Sequence, residues 1–169
     1  IAKHLNCPAR AICFTSGGTE ADNHAIQASI RSLGVTRIVT SAAEHSAVIR
    51  ASEAAQLGQN VEVVHVNHLA EGDVDLTHLE ALLSSSNQKT LVSLMHANNE
   101  VGIIVDLAAI SALCREHGAL FHSDTVQTMG HYPMDLGGLD IDFLTCSAHK
   151  FHGPKGSGFL YVNPTLRVD

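Results

Sequence analysis

Short apolar runs rich in β-branched residues alternate with longer segments of helical period along the whole chain. This alternation constrains the fold more than any other feature, because it is typical of repeated βα units around a mostly parallel sheet. The predicted strands cover residues 37–41, 61–66, 90–95, 119–123, 141–146 and 158–162. The predicted helices cover residues 20–33, 46–57, 76–83 and 107–117. The sequence therefore predicts an α/β fold whose mostly parallel sheet is flanked by helices.

The ends of two predicted helices carry capping residues. Asp75 and Asp106 stand directly before their helices as predicted N-caps, and Gly118 follows the last helix as a predicted C-cap. Open α/β sheets bind ligands beyond the carboxyl ends of their strands. The polar residues that follow each predicted strand are therefore the first candidates for a functional site.

The composition predicts one folded domain over residues 1–169, without repeats or linkers. Hydrophobic residues make up 45% of the chain, which disfavours intrinsic disorder. The formal net charge is −7, and no stretch combines clustered basic residues with aromatic ones, so nucleic-acid binding is not expected. No apolar run approaches the roughly 20 residues that cross a bilayer, so a membrane-embedded protein is not expected either.

The cysteines and histidines show no spacing typical of a disulfide framework or a metal site. Without a CxxC pair, the four cysteines are interpreted as mostly buried thiols of a reduced, cytoplasmic protein. The histidines show no HExxH or other compact ligand pattern, so no metal ligand is predicted. The chain begins at Ile1 without an initiator Met or a signal-peptide pattern, and we expect it to be an internal part of a longer protein.

The segment TSGGTE, residues 15–20, is a Gly-containing turn that leads into a predicted helix. Backbone N–H groups and the helix dipole at such a place favour an anion such as phosphate. An ordinary helix start is the alternative interpretation, and it is the more common one for this pattern alone. The GxxxxGK[ST] pattern of nucleotide triphosphate sites is missing.

Asp124 stands at the end of a predicted strand, and Gln127 follows three residues later, where both side chains could reach one ligand. A helix N-cap is the alternative role for Asp124. After the next strand, the loop SAHKFHGPKG at residues 147–156 combines hydroxyl, imidazole and amine groups. A desolvated Lys150 amine would be a nucleophile towards carbonyls, whereas a solvated surface charge is the alternative.

Together, the three segments supply what pyridoxal 5′-phosphate requires from a protein. These parts are a phosphate-binding turn, a carboxylate for the pyridinium nitrogen and a lysine that forms a Schiff base. A carboxylate beside the ring nitrogen keeps that nitrogen protonated, so that the ring can accept electrons. We therefore predict pyridoxal 5′-phosphate as the cofactor.

Five ordered segments resemble motifs of one known family. They are TSGGTEADN at 15–23, EHSAV at 44–48, MHANNEVG at 95–102, HSDTVQ at 122–127 and SAHKFHGPKG at 147–156. The chain resembles the class V aminotransferase superfamily, and within it the cysteine desulfurases and the related selenocysteine lyases. The resemblance implies the large domain of a fold type I, aspartate aminotransferase-like enzyme, without the small C-terminal domain.

The resemblance also implies a role for each site residue. Lys150 would form the Schiff base, Asp124 would pair with the pyridinium nitrogen, and Gln127 would reach the phenolic oxygen. The implied phosphate ligands are Thr19, Ser147 and His149, and Gly18 stands directly before Thr19 in the first of the five motifs. His45 would lie against the ring and move protons, and Asn99 would contact the cofactor on its substrate-facing side. Without the resemblance, His45 is a residue that leads a helix and Asn99 a turn residue.

The implied reaction converts L-cysteine to L-alanine and transfers sulfur to an enzyme cysteine as a persulfide, for iron–sulfur cluster or thio-cofactor assembly. A homodimer and a sulfur-acceptor partner are implied as well. Gly18 and Thr125 stand where many family members carry Ala, and the family's loop cysteine and substrate-binding Arg have no counterpart here. Cys146 is expected to be a packed, inert thiol. A selenocysteine lyase, another class V aminotransferase and a non-catalytic cofactor-binding module remain the alternatives.

Overall fold

The computed structural model describes residues 1–168. Its main sheet has seven strands in the order β1-β9-β8-β7-β4-β2-β3, and β5 and β6 form a separate two-stranded hairpin. The strands are β1 Ile12–Thr15, β2 Arg37–Thr40, β3 Glu62–His65, β4 Thr90–Ser93, β5 Ala97–Asn98, β6 Ile103–Ile104, β7 Leu120–Asp124, β8 Phe143–Ser147 and β9 Gly158–Val162. The helices are α1 Gly18–Arg31, α2 Ser46–Gln59, α3 Leu76–Ser84 and α4 Leu107–Glu116.

Five consecutive strands of the sheet run parallel, from β3 at one edge through β2, β4 and β7 to β8. At the other edge, β9 pairs antiparallel with β8, and β1 pairs antiparallel with β9. The prediction of a mostly parallel sheet flanked by helices is therefore confirmed, and each predicted strand and helix is present with ends that differ by at most two residues.

Helices cover both faces of the sheet, which explains why nearly all residues of its central strands are buried, on either face. Adjacent residues of one strand enter different cores, since side chains alternate across a sheet. Val39, for example, packs with the α3 and α4 residues in one core. Its neighbour Ile38 packs with the α1 and α2 residues in the other. All four residues of β2 are buried.

The predicted caps are confirmed. The Asp75 carboxylate accepts a hydrogen bond from the backbone N–H of His78, and Asp106 accepts from two N–H groups of the first turn of α4. Gly118 has a φ of +64°, the left-handed conformation that ends a helix at little cost for glycine.

The sequence prediction missed β1 and the β5–β6 hairpin. β1 is an edge strand of four residues whose Cys13 and Phe14 are exposed, so it shows no burial alternation. β5 and β6 have two residues each, which is too short for any periodic signal. Within residues 1–168, no helix has the length and apolar character that a bilayer crossing requires.

Candidate functional site

A cavity of about 170 Å³ lies at the carboxyl edge of the parallel strands. All predicted site residues except Asn99 line this cavity. The lining residues are Gly18, Thr19, Asp22, His45, Met95, Asp124, Val126, Gln127, Ser147, His149 and Lys150. Thr19 and Lys150 are far apart in sequence, and the sheet brings them together because parallel strands end on the same side.

The turn between β1 and α1 is built from close backbone packing. Gly17 has φ +153° and ψ −173°, a region that residues with a Cβ rarely adopt. A Cβ on Gly158 of β9 would lie 2.8 Å from the Gly17 Cα and would also overlap the Cys146 carbonyl oxygen. The two glycines therefore allow the N-terminus of α1 to lie directly beside Ser147 at the end of β8.

The N-terminus of α1 has the features of an anion site. No side chain caps the helix, so the N–H groups of its first turn are available to a ligand. Thr19 lines the main cavity and a neighbouring one of about 310 Å³, into which Lys155 also reaches. Ser147 Oγ and His149 Nδ1, which line both cavities, are hydrogen-bonded at 2.9 Å. These groups surround a space suited to a phosphate.

Asp124 ends β7 inside the cavity and is only 4% exposed. Its Oδ1 accepts a hydrogen bond of 2.8 Å from the N–H of Val126 within a turn, and no helix follows, so the alternative role as a helix N-cap is wrong. Burial, followed by the charge of Asp22, raises the pKa of Asp124 to about 8, although the Val126 hydrogen bond and the Lys150 charge oppose the shift. A carboxylate in this position is stabilised by a cation placed beside it.

Lys150 lies in a short 3-10 turn, Ala148–Phe151, directly after β8. Backbone hydrogen bonds from Ala148 to Ser157 and from Gly153 to Ala148 fix the turn, and His131 Nε2 lies 2.9 Å from the Lys150 carbonyl oxygen. The side chain is exposed at the rim of the cavity. The described residues therefore place the amine at the site but do not desolvate it, contrary to the interpretation of a buried lysine.

His45 stands directly before α2, as its alternative interpretation predicts, and it also lines the cavity. It is the N-cap of α2, and its Nδ1 accepts a hydrogen bond of 3.2 Å from the N–H of Ala47. A nitrogen that accepts is unprotonated, so the neutral ring has its proton on Nε2. Glu44 fixes the preceding loop, since its buried Oε1 accepts from the N–H of Met95 at 2.8 Å.

Asn99 does not line the cavity but contacts a residue that does. Its Oδ1 accepts a hydrogen bond of 2.9 Å from Gln127 Nε2. The adjacent Asn98 accepts from the N–H groups of Glu100 and Val101, and its Nδ2 donates to the Ala43 carbonyl oxygen. Asn99 is therefore a turn residue, as its alternative interpretation predicts, and its side chain also orients the Gln127 amide.

Asp22, Met95 and Val126 line the cavity without having been predicted. Asp22 is almost fully buried, and a charged residue on the apolar face of a predicted helix was the available signal. Ligand atoms of Asp22, His45 and Asp124 lie within 4.8 Å of one another, a spacing at which three such groups could also hold a metal ion. The absence of a metal site stays a prediction, and the adjoining amine and phosphate-binding turn favour an organic cation.

None of the four cysteines, all of which lie within residues 1–168, lines this cavity, and only Cys114 and Cys146 are buried, so the prediction of mostly buried thiols holds for two of the four. Cys146 is buried on β8, which confirms the prediction of a packed thiol, and burial followed by the charge of Asp124 raises its pKa to about 12. Burial likewise raises the pKa of Cys114 to about 12. Cys13 is exposed and lines a larger cavity of about 560 Å³ between α1 and β9, which holds none of the predicted site residues.

Known proteins share this fold and sequence. Cysteine desulfurase IscS of Proteus mirabilis is 40% identical over 173 residues, and the match covers 100% of this chain and 42% of that protein. The Escherichia coli protein of the same name is 39% identical with the same coverage. The chain therefore spans less than half the length of these curated relatives.

Solved structures give the same result. A NifS-like protein superposes with a TM-score of 0.92 at 34% identity, covering 99% of this chain and 46% of that one. Cysteine desulfurase CsdA of Escherichia coli superposes with a TM-score of 0.86 at 31% identity, covering 96% and 41%. The sequence profile of class-V aminotransferases matches residues 1–169. The chain belongs to the class-V aminotransferase family.

Proposed function

We propose that this chain is the pyridoxal-phosphate-binding large domain of a cysteine desulfurase, which converts L-cysteine to L-alanine and passes sulfur to an enzyme cysteine. The observation that supports it best is Asp124, a buried carboxyl that shares one cavity with the Lys150 amine and with the open N-terminus of α1. The relatives named above are cysteine desulfurases by name.

The donor set fits the chemistry of pyridoxal 5′-phosphate. The raised pKa of Asp124, caused by burial and by the charge of Asp22, means that a cation beside this carboxyl is favoured, and a protonated ring nitrogen is such a cation. The N-terminus of α1, with Thr19, Ser147 and His149, suits a phosphate. When bound, the cofactor would supply an aldehyde for the Lys150 amine and a ring that accepts electrons.

The chain's own residues would then orient the reactants and move protons. Gln127 would donate to the phenolic oxygen, since one N–H of its amide is held by Asn99 and the other is left for a ligand. His45 would exchange a proton through Nε2, because its Nδ1 is held by the N–H of Ala47. Lys150 would shuttle protons once substrate has displaced it.

The sulfur-accepting thiol is proposed to lie outside residues 1–169. None of the four cysteines lines the cavity in the part of the chain that the structure describes, and the buried thiols of Cys114 and Cys146 have raised pKa values because of burial.

The same proposal includes a homodimer, a cytoplasmic location and a sulfur-acceptor partner for iron–sulfur cluster or thio-cofactor assembly.

Reconstitution of the full-length protein with pyridoxal phosphate tests the assignment. We expect a visible absorption band that Lys150→Ala abolishes and that Lys89→Ala retains. Lys89 is the control because it is an exposed lysine directly before β4 that lines neither the main cavity nor the neighbouring one. A band that persists unchanged in Lys150→Ala would contradict the proposal.

Product analysis then identifies the reaction. L-Cysteine should yield alanine and, with a reductant, sulfide. Alanine with selenide formed only from selenocysteine would indicate a selenocysteine lyase instead. A keto acid would indicate an aminotransferase, and cofactor binding without turnover would indicate a non-catalytic module.

A further inference from the structure

Asp22 is a buried carboxylate on α1 that lacks a hydrogen-bond partner at one oxygen. Its side chain is 1% exposed, lines the cavity with Asp124 and Lys150, and accepts no hydrogen bond at Oδ1. His122 Nε2 lies 3.5 Å from this oxygen. The same nitrogen is 3.0 Å from Thr145 Oγ1, the better position for a hydrogen bond. A buried carboxylate in this state is costly unless it is protonated or faces a cation.

Asp22 and Asp124 are close enough for their charges to be coupled. Their carboxylate oxygens lie within 4.8 Å of each other. Two buried carboxylates at such a distance repel each other when both are ionised, so that one of them retains a proton to higher pH. In accord with this geometry, burial and then the charge of Asp22 raise the pKa of Asp124 to about 8.

Several other titratable groups lie close to the pair, on the elements that pack around it. They are Glu44 and His45 before α2, His122 on β7, Cys146 on β8 and Lys150 after β8. Glu44 supplies no cation, and burial raises its own pKa well above the ordinary value.

The remaining neighbours do not supply enough positive charge to remove the proton from the pair. Burial raises the pKa of the Cys146 thiol to about 12, so the thiol is neutral. His122 is held by two hydroxyls, with Nδ1 2.8 Å from Ser93 Oγ and Nε2 near Thr145. The Lys150 charge lowers the pKa of Asp124, but burial and Asp22 outweigh it.

We propose that Asp22 and Asp124 act as one electrostatically coupled carboxyl pair, which retains a single proton between its two members in the cofactor-free pocket and gives it to the pyridine nitrogen of the cofactor. An O–H bond of the pair breaks and an N–H bond forms on the ring. The pair then has two negative charges facing one pyridinium, and no electron is transferred. Asp22 is a positioning residue, because it acts through Asp124. The identity of the recipient rests on the proposed function, whereas the retained proton depends only on this chain's own residues.

Infrared spectroscopy of the cofactor-free full-length protein tests the retained proton. The carbonyl band of a protonated carboxylic acid is followed while the pH is raised through about 8. Asp124→Asn identifies the band by removing it. In Asp22→Asn, which keeps the shape and removes the charge, we expect the midpoint to fall by about one pH unit or more, a tenfold weaker hold on the proton.

Glu44→Gln is the matched control, since it neutralises a third buried carboxyl near the same site. It should remove a separate band and leave the fall caused by Asp22→Asn unchanged. An identical midpoint in the wild type and in Asp22→Asn would overturn the proposal.

A second measurement needs only the wild-type protein and serves if Asp22→Asn does not fold. Pyridoxine 5′-phosphate, which has the ring nitrogen and the phosphate but no aldehyde, is added below the midpoint of the titration. Loss of the Asp124 band on binding, with no proton released to a weakly buffered solution, supports the transfer. A band that persists in the complex, or a proton that is released to the solution, overturns it. Failure of this ligand to bind would overturn the transfer and contradict the proposed function, while the pH titration still decides whether the pair is coupled.

Discussion

Gly18, the first residue of α1, lies against Val126 in a way that makes its substitution informative. An ideal Cβ at Gly18 would be 2.8 Å from Val126 Cγ2. Carbon atoms prefer separations of about 3.5–4.0 Å, so that one of the two groups must move by about 0.7 Å or more.

The expected effect of Gly18→Ala is the difference between two terms. Overpacking of this size costs about 1–3 kcal/mol of unfolding free energy. Replacing Gly by Ala in a helix returns at most about 1 kcal/mol, and less at its first position. We therefore expect Gly18→Ala to destabilise the protein by about 1–2 kcal/mol.

The partner substitution Val126→Ala should reverse this loss, because it removes the methyl group that the new Cβ meets. We expect a coupling energy of about 1–2 kcal/mol between the two sites in a double-mutant cycle. The assay is urea unfolding of the cofactor-free full-length protein, followed by circular dichroism.

Gly58→Ala in α2 is the matched control. A Cβ there would meet nothing within 4 Å, so this variant should be as stable as the wild type or more stable by up to about 1 kcal/mol. It should also show no coupling to Val126→Ala. A Gly18→Ala protein at least as stable as the wild type, with no coupling to Val126→Ala, would refute the packing argument.

Two further predictions concern pH and helix capping. Since burial and the charge of Asp22 raise the pKa of Asp124 from 3.8 to about 8, its stabilising contribution is complete below 3.8 and is lost as the pH rises through about 8. The urea midpoint of the cofactor-free protein should therefore fall as the pH rises from about 4 to about 8. In Asp124→Asn the midpoint should fall less steeply with pH, and the fall that remains comes from Glu44. Equal pH dependence of the midpoint in the two proteins would contradict this expectation. Asp106→Ala should cost about 0.5–2 kcal/mol and more than Asp75→Ala, because Asp106 caps two N–H groups of α4 and Asp75 one of α3. Thermal unfolding of both variants measures the difference, and a larger loss for Asp75→Ala would be inconsistent with the caps.

The sequence predicted most of the elements because its patterns are local. Apolar β-branched runs predicted the parallel strands. The capping residues Asp75 and Asp106 correctly predicted the first residue of α3 and of α4. The site residues could be named from motif order, and all but Asn99 line one cavity. The sequence did not predict β1, because this exposed edge strand lacks a buried face. It did not predict the β5–β6 hairpin either, because strands of two residues are too short to show a period.

Only the tertiary structure decided what surrounds each of these side chains. Lys150 is exposed among the described residues, and Asn99 acts on Gln127. Asp22, a helix residue in sequence, lies beside Asp124 at the end of β7. The physical reason is that periodicity and capping depend on neighbours along the chain, whereas the charge state of a buried carboxyl depends on groups that meet only when α1 packs against the carboxyl edge of the sheet.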